Sequence, residues 1–163
     1  MLKVSIIGAT GYAGAELLSI LYRHPQVEII HITSESHTGK NISEIYPHLR
    51  DICDMPLESL NDIEKIGEDS DFIFIALPHD HAMDVGKKLE NVHARIIDLG
   101  ADYRFSDTNI YENWYGVKHT HKDAARVYGL AEIYREDIRT AKIIGNAGCF
   151  TTASILALAP LVR

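Results

Sequence analysis

The sequence predicts a doubly wound α/β fold, a mostly parallel sheet with helices on both faces. Three observations predict it. A β-rich apolar run opens the chain and leads straight into three glycines spaced three apart. Short apolar runs then alternate with helix-compatible stretches. Near the end, a last apolar run passes through a Gly/Asn turn into an apolar helical segment.

Taken in order, Leu2 to Ile7 is a continuous apolar run, as a strand buried on both faces requires. Gly8, Gly11 and Gly14 follow as G-x-x-G-x-x-G, with a helix expected over Ala15 to Arg23. This is the physics of a dinucleotide loop. Gly8 permits the tight turn, Gly11 lets the backbone approach a pyrophosphate, and Gly14 lets helix and strand pack closely. The helix N-terminus then faces the phosphates. A lone glycine triplet is weak, but the strand before it and the helix after it supply the required context. A ligand-free βα turn is the plain alternative.

Val27 to Thr33 reads as the second strand, with Pro25 marking the break before it. Asp71 to Leu77 is the next strand, closed by Pro78, and a helix fits His79 to Glu90. Arg95 to Leu99 and Ala141 to Ile144 are two further strands, and Ala153 to Leu161 is an apolar helix. The alternation places the sequence in the Rossmann class. Residues 101–130 show no clear periodicity and carry Tyr103, Tyr111, Trp114, Tyr115 and Tyr128. Long excursions of this kind are often functional, and packing over a sheet edge explains the aromatics equally well.

Composition narrows the function classes. At 163 residues the chain can build one full core. A net charge of −7, with no basic block, argues against a nucleic-acid surface. Two cysteines, Cys53 and Cys149, make no disulfide framework and suit a reducing cytosol. Met1-Leu2-Lys3 enters a strand without a secretory pattern, and no apolar stretch is long enough for a membrane span. The expectation is a cytoplasmic protein without membrane or nucleic-acid partners.

Cys149 is the sharpest chemical feature. It follows Ile143-Ile144-Gly145-Asn146-Ala147-Gly148 and precedes the last helical segment. A thiol near a helix start meets free N–H groups and the positive end of the dipole, which favour an anion such as a thiolate. The plain alternative is a small apolar residue in a tight turn. After the second strand, Glu35 stands where an acid could bind an NAD ribose, whereas Ser34, Ser36 and Lys40 could receive an NADP phosphate. His79/His81 and His119/His121 have H-x-H spacing without a third ligand, so they are expected to be solvated loop residues and no metal site is expected. Cys53 is expected to be structural or exposed.

Five segments together resemble one family. They are Gly8 to Leu17, Tyr46-Pro47-His48-Leu49, Ala76-Leu77-Pro78-His79, the pair Asp98 to Phe105 with Tyr128 to Glu132, and Gly145 to Thr152. The chain resembles the N-acetyl-γ-glutamyl-phosphate reductases and, more broadly, the semialdehyde dehydrogenases, over the N-terminal half of such an enzyme. The resemblance implies Cys149 as the catalytic nucleophile. It implies cofactor contacts from Gly8, Thr10, Gly11, Tyr12, Ala13, Gly14, Ser34, Lys40, Leu77 and Pro78. Arg104 and Asn146 fall on the substrate side, where an ion pair of Arg104 with Asp98 or Asp102 and a turn role for Asn146 are the alternatives.

The implied cofactor is NADP(H), with NAD left open by Glu35. The implied substrate is a small acyl phosphate, reduced through a Cys149 thioester in arginine biosynthesis. Residues 1–148 would be the NAD(P)-binding domain and 149–163 the start of a truncated catalytic domain. The family's acid/base histidine would lie outside these residues, so this chain is expected to bind cofactor without turnover. The full-length enzyme would be a homo-oligomer. The helix that completes this domain in the family would also be missing, exposing an apolar face. Ala147 and Thr151 stand where the family has proline, and His79-Asp80-His81 replaces a glycine-containing sequence. An aminoadipyl-phosphate reductase, or a non-catalytic dinucleotide module that senses redox state through Cys149, are the alternatives.

Overall fold

Alternating side chains of the first strand point into two cores, and the rest of the molecule is built around that division. The computed structural model describes residues 1–162. The strands are β1 (Leu2–Ile7), β2 (Val27–Thr33), β3 (Phe72–Ile75), β4 (Arg95–Asp98), β5 (Arg126–Gly129) and β6 (Ile143–Asn146). The helices are α1 (Tyr12–Tyr22), α2 (Ile42–Ile45), α3 (Ile63–Asp69), α4 (Ala82–Lys88), α5 (Thr108–Tyr115), α6 (Ala131–Thr140) and α7 (Cys149–Val162). The six strands form one parallel sheet in the order β2-β1-β3-β4-β6-β5. This is the doubly wound α/β fold that the sequence predicts.

Successive residues of a strand face opposite sides of the sheet. Ile6 accordingly packs with Leu18, Ile32, Ile42, Leu49 and Leu57 on one side. Ile7 packs with Ile73, Ile75, Ile96, Met83, Leu89, Tyr103 and Tyr111 on the other. Strand order reverses between β1 and β3, so the loops leaving their carboxyl ends diverge and leave a crevice between them.

Several boundaries differ from the sequence reading. Helix α1 begins at Tyr12 rather than Ala15, because Gly11 acts as its N-cap and accepts from Ala15 N–H at 2.9 Å. Helix α7 begins at Cys149 rather than Ala153. The 101–130 segment is not a structureless excursion. It holds α5, capped by Asp107 accepting from Asn109 N–H at 2.8 Å and ended by left-handed Gly116, and then the edge strand β5. His119 and His121 are buried, not solvated. His121 Nδ1 lies 2.9 Å from the Tyr103 hydroxyl, and burial pushes both imidazoles below the ordinary histidine range. Cys53 is buried. Helix α7 buries none of its residues, and Phe150, Leu158, Leu161 and Val162 are exposed.

Asp80 has φ +74°, the left-handed region that favours glycine. Asp80→Gly is expected to leave stability unchanged or raise it by about 0.5 kcal/mol, whereas Asp80→Val should lower it by about 1–2 kcal/mol. Urea unfolding of the two variants checks the order.

Candidate functional site

The loop from β1 to α1 builds the first half of the site. Gly8 has φ +84°, so the chain can turn sharply at the end of β1. Its N–H donates to Thr33 Oγ1 at 3.3 Å, and Ala9 N–H donates to the Thr33 carbonyl at 2.9 Å. Gly14 sits so close to this turn that a Cβ would stand 2.4 Å from the Gly8 carbonyl oxygen and 2.8 Å from Ala9 Cα. The first turn of α1 therefore lies directly over the loop. No side chain caps its N–H groups, which leaves them available to an anion.

A cleft of about 270 Å³ opens at the reversal of strand order. Gly8, Thr10 and Gly11 line it from β1, Thr33 to Ser36 from β2, and Ala76 to Pro78 from β3. The Thr10 and Ser34 hydroxyls are 2.8 Å apart, and Tyr46 donates to the Thr10 carbonyl at 2.9 Å. Glu35 is tied back by Leu60 N–H, which donates to its carboxylate at 2.7 Å. The free N–H groups, the glycine approach and the clustered hydroxyls suit the phosphates and ribose of a dinucleotide.

Six of the ten residues expected at the cofactor line this cleft: Gly8, Thr10, Gly11, Ser34, Leu77 and Pro78. The other four do not. Gly14 is buried in packing, the Tyr12 ring is 91% exposed, Ala13 is exposed, and Lys40 points to solvent beyond the lining. The sequence reading missed Thr33, Ala76 and Leu60 as lining residues. Leu60 arrives because Glu58 bridges alongside Thr33, a pairing without a local signal.

The second half of the site lies at the same carboxyl end of the sheet, where β6 meets α7. Cys149 is exposed in the first turn of α7. Thr151 Oγ1 donates to the Gly148 carbonyl at 2.9 Å, and Thr152 N–H donates to it at 2.9 Å, closing the turn. Arg104 does not pair with Asp98 or Asp102. Its Nε donates to the Asn146 carbonyl at 2.8 Å and its Nη2 to the Leu99 carbonyl at 3.1 Å. The Nη1 edge lies beside Gly148, where a Cβ would meet it at 3.0 Å. That leaves one guanidinium edge next to the thiol-bearing turn. The Asn146 side chain donates to the Ala147 carbonyl at 3.3 Å, a turn contact. Among the described residues no group of three metal-ligating side chains converges.

Asp98 holds the turn that leads from β4 to Arg104. It is fully buried at the end of β4, accepting from Gly100 N–H at 2.8 Å and Tyr103 N–H at 3.3 Å. Burial pushes its carboxyl up to about 6; the Gly100 N–H pulls it back and the nearby Asp102 charge adds to the rise. The folded value exceeds the unfolded one, so the folded state holds the proton more tightly. This contribution to stability is complete below about pH 4 and is lost as pH rises to about 6. Relative to Asp98→Asn, the wild-type chain should lose up to about 3 kcal/mol across that window. Parallel pH–Tm curves for the two proteins would contradict this.

The family model for the semialdehyde dehydrogenase NAD-binding domain matches residues 3–141. The chain belongs to the semialdehyde dehydrogenase family. Within it, the chain is 49% identical over 163 residues to an N-acetyl-γ-glutamyl-phosphate reductase of Pelotomaculum thermopropionicum, covering 99% of this chain and 47% of the relative. It is 47% identical over 165 residues to the reductase of the same name from Moorella thermoacetica, covering 100% of this chain and 47% of that one. The chain thus spans about half the length of the curated relatives it matches. Aspartate semialdehyde dehydrogenase from Candida albicans, solved with NADP, superimposes with a TM-score of 0.70 at 20% identity, over 99% of this chain and 47% of that one. This likeness concerns the fold. A semialdehyde dehydrogenase domain of this kind takes a dinucleotide cofactor, and the cleft at the reversal of strand order has the shape and donors for one.

Proposed function

We propose that this chain is the cofactor- and nucleophile-bearing half of an NADP-dependent N-acetyl-γ-glutamyl-phosphate reductase of arginine biosynthesis. One observation carries the reading. An exposed cysteine in the first turn of α7 stands at the same end of the sheet as the glycine-lined cleft. The relatives' names support the substrate.

The residues divide the work as follows. Cys149 Sγ, as thiolate, attacks the acyl carbonyl; a C–S bond forms and phosphate leaves with the C–O electron pair. N–H groups of the first turn of α7, unpaired within the helix, stabilise the oxyanion. The Nη1 edge of Arg104 holds the leaving phosphate or a substrate carboxylate. Gly8, Thr10 and Gly11 with the α1 N-terminus hold the cofactor pyrophosphate, and Ser34 and Ser36 receive the adenosine ribose phosphate. When bound, the nicotinamide supplies the hydride that reduces the thioester to an aldehyde.

Residues 1–148 form the cofactor domain, and α7 begins the catalytic domain. The acid/base group comes from residues other than these 163. The family likeness supports a cytoplasmic homo-oligomer for the full-length enzyme.

Two measurements test this. Calorimetric titration should show NADPH binding more tightly than NADH; no binding of either overturns the cofactor assignment. Intact mass spectrometry after exposure to N-acetyl-glutamyl 5-phosphate should show one acyl adduct, absent in Cys149→Ser. A preference for the aminoadipyl analogue would move the substrate assignment to lysine biosynthesis.

A further inference from the structure

We propose that Asp102 is a positioning residue that locks the cofactor wall of the site to its substrate side, an inference that rests on the functional reading above. Asp102 is fully buried between the two halves. Three donors converge on its carboxylate. Oδ1 accepts from Asp80 N–H at 2.9 Å and from the Tyr111 hydroxyl at 2.9 Å, and Oδ2 accepts from Met83 N–H at 3.0 Å. A fourth contact reaches its backbone: His119 Nε2 lies 2.8 Å from the Asp102 carbonyl. His119 Nδ1 accepts from His121 N–H at 3.1 Å, which turns Nε2 toward the Asp102 carbonyl, with Arg126 Nη1 3.1 Å from the same nitrogen.

The origin of these donors gives the proposal its content. Asp80 lies two residues after Pro78, a wall of the cleft, in the strained turn that leads to α4. Met83 N–H belongs to the first turn of α4, which has no side-chain cap from its own N-cap residue. Tyr111 comes from α5. Asp102 itself lies two residues before Arg104, whose free edge flanks the Cys149 turn. One carboxylate therefore sets the spacing between the cleft wall and the arginine. No lysine or arginine is ion-paired with Asp102 among the described residues. Its charge is met by N–H and O–H dipoles, including the positive end of α4.

An acceptor-only group is needed because all three partners donate. Asparagine would turn an NH₂ toward at least one of them, leaving a buried donor unpaired. The Pro78–His81 turn and the 101–104 segment could then shift independently. Cofactor and substrate binding would deteriorate together, which loss of stability alone would not cause in protein that is still folded.

The test uses the full-length reductase that contains these residues, assayed well below each variant's Tm. Asp102→Asn is expected to raise both the Kd for NADPH and the KM for the acyl phosphate about fivefold or more. Tyr111→Phe, which removes one donor of three, should move both in the same direction by about twofold, and Asp102→Glu should restore part of the loss. A folded Asp102→Asn protein with both constants within about twofold of wild type, or with only one of them changed, would overturn the proposal. If that variant does not fold, Tyr111→Phe decides it: a folded protein in which either constant equals that of wild type overturns the proposal. Failure of the functional reading shows in the wild type, as absence of NADPH binding or reductase activity. Failure of the positioning role shows only in the variants of an active wild type.

Discussion

Cys149→Ser in the full-length reductase is expected to lower kcat by about 10³-fold or more while leaving the Kd for NADPH within about twofold. The two effects separate because the thiol and the glycine loop belong to different turns, β6–α7 and β1–α1. Serine matches cysteine in size and keeps the first turn of α7, so the lost activity reports nucleophilicity and not packing. A hydroxyl needs a general base to attack, and no hydrogen-bonding partner of Cys149 is positioned to act as one among the described residues. Phosphate-dependent oxidation of the semialdehyde gives the same readout in reverse. Wild-type turnover by the serine variant would end the covalent mechanism.

Gly145→Ala should be the most damaging single methyl in the molecule. Gly145 lies in β6, opposite Asp98 of β4 and Tyr128 of β5. A Cβ there would stand 2.2 Å from the Tyr103 carbonyl oxygen, 2.3 Å from its carbon and 2.7 Å from Arg104 N. All three are backbone atoms, so no side chain can swing aside. The 103–104 segment would have to lift off the sheet, which takes Arg104 away from the Cys149 turn. The expected cost is about 3 kcal/mol or more, or roughly a 10 °C fall in Tm. In protein that remains folded, turnover should fall further than cofactor affinity, because β1 lies three strands away. A Tm equal to that of wild type would show that the backbone yields more easily than its packing implies.

The parts of the fold that were legible carry local signals. Leu2 to Thr33 declares itself through an apolar run, a glycine spacing and a second β-rich run, each readable without knowing a neighbour. Strand β5 does not, because Arg-Val-Tyr-Gly is four residues long and its only partner, β6, follows it after a helix. The insertion of β6 between β4 and β5 is set by non-local pairing, which periodicity does not record. At the site, the type of residue was easier to read than its surroundings. The sequence offers Arg104 either as a donor on the substrate side or as an ion-pair partner of Asp98 or Asp102, and its attachment to two carbonyls depends on how β4 and β6 lie side by side. His119 and His121 looked like loop residues because burial comes from Tyr103, Tyr111 and Asp102, brought over them by the fold. Gly116 and Asp107, by contrast, are cap residues whose signals are local to the sequence.

The two cysteines differ in a way that makes the chain its own reporter. Cys149 is open to solvent, whereas Cys53 is closed within the core beside β2, and burial raises its pKa. An alkylating reagent will therefore mark the first thiol at once. It will reach the second only when the half of the molecule around Leu49 and Leu57 opens. The delay between the two modifications is a clock for that opening, and its lengthening on addition of nucleotide would measure how firmly a ligand at the β1–α1 loop holds the neighbouring core shut.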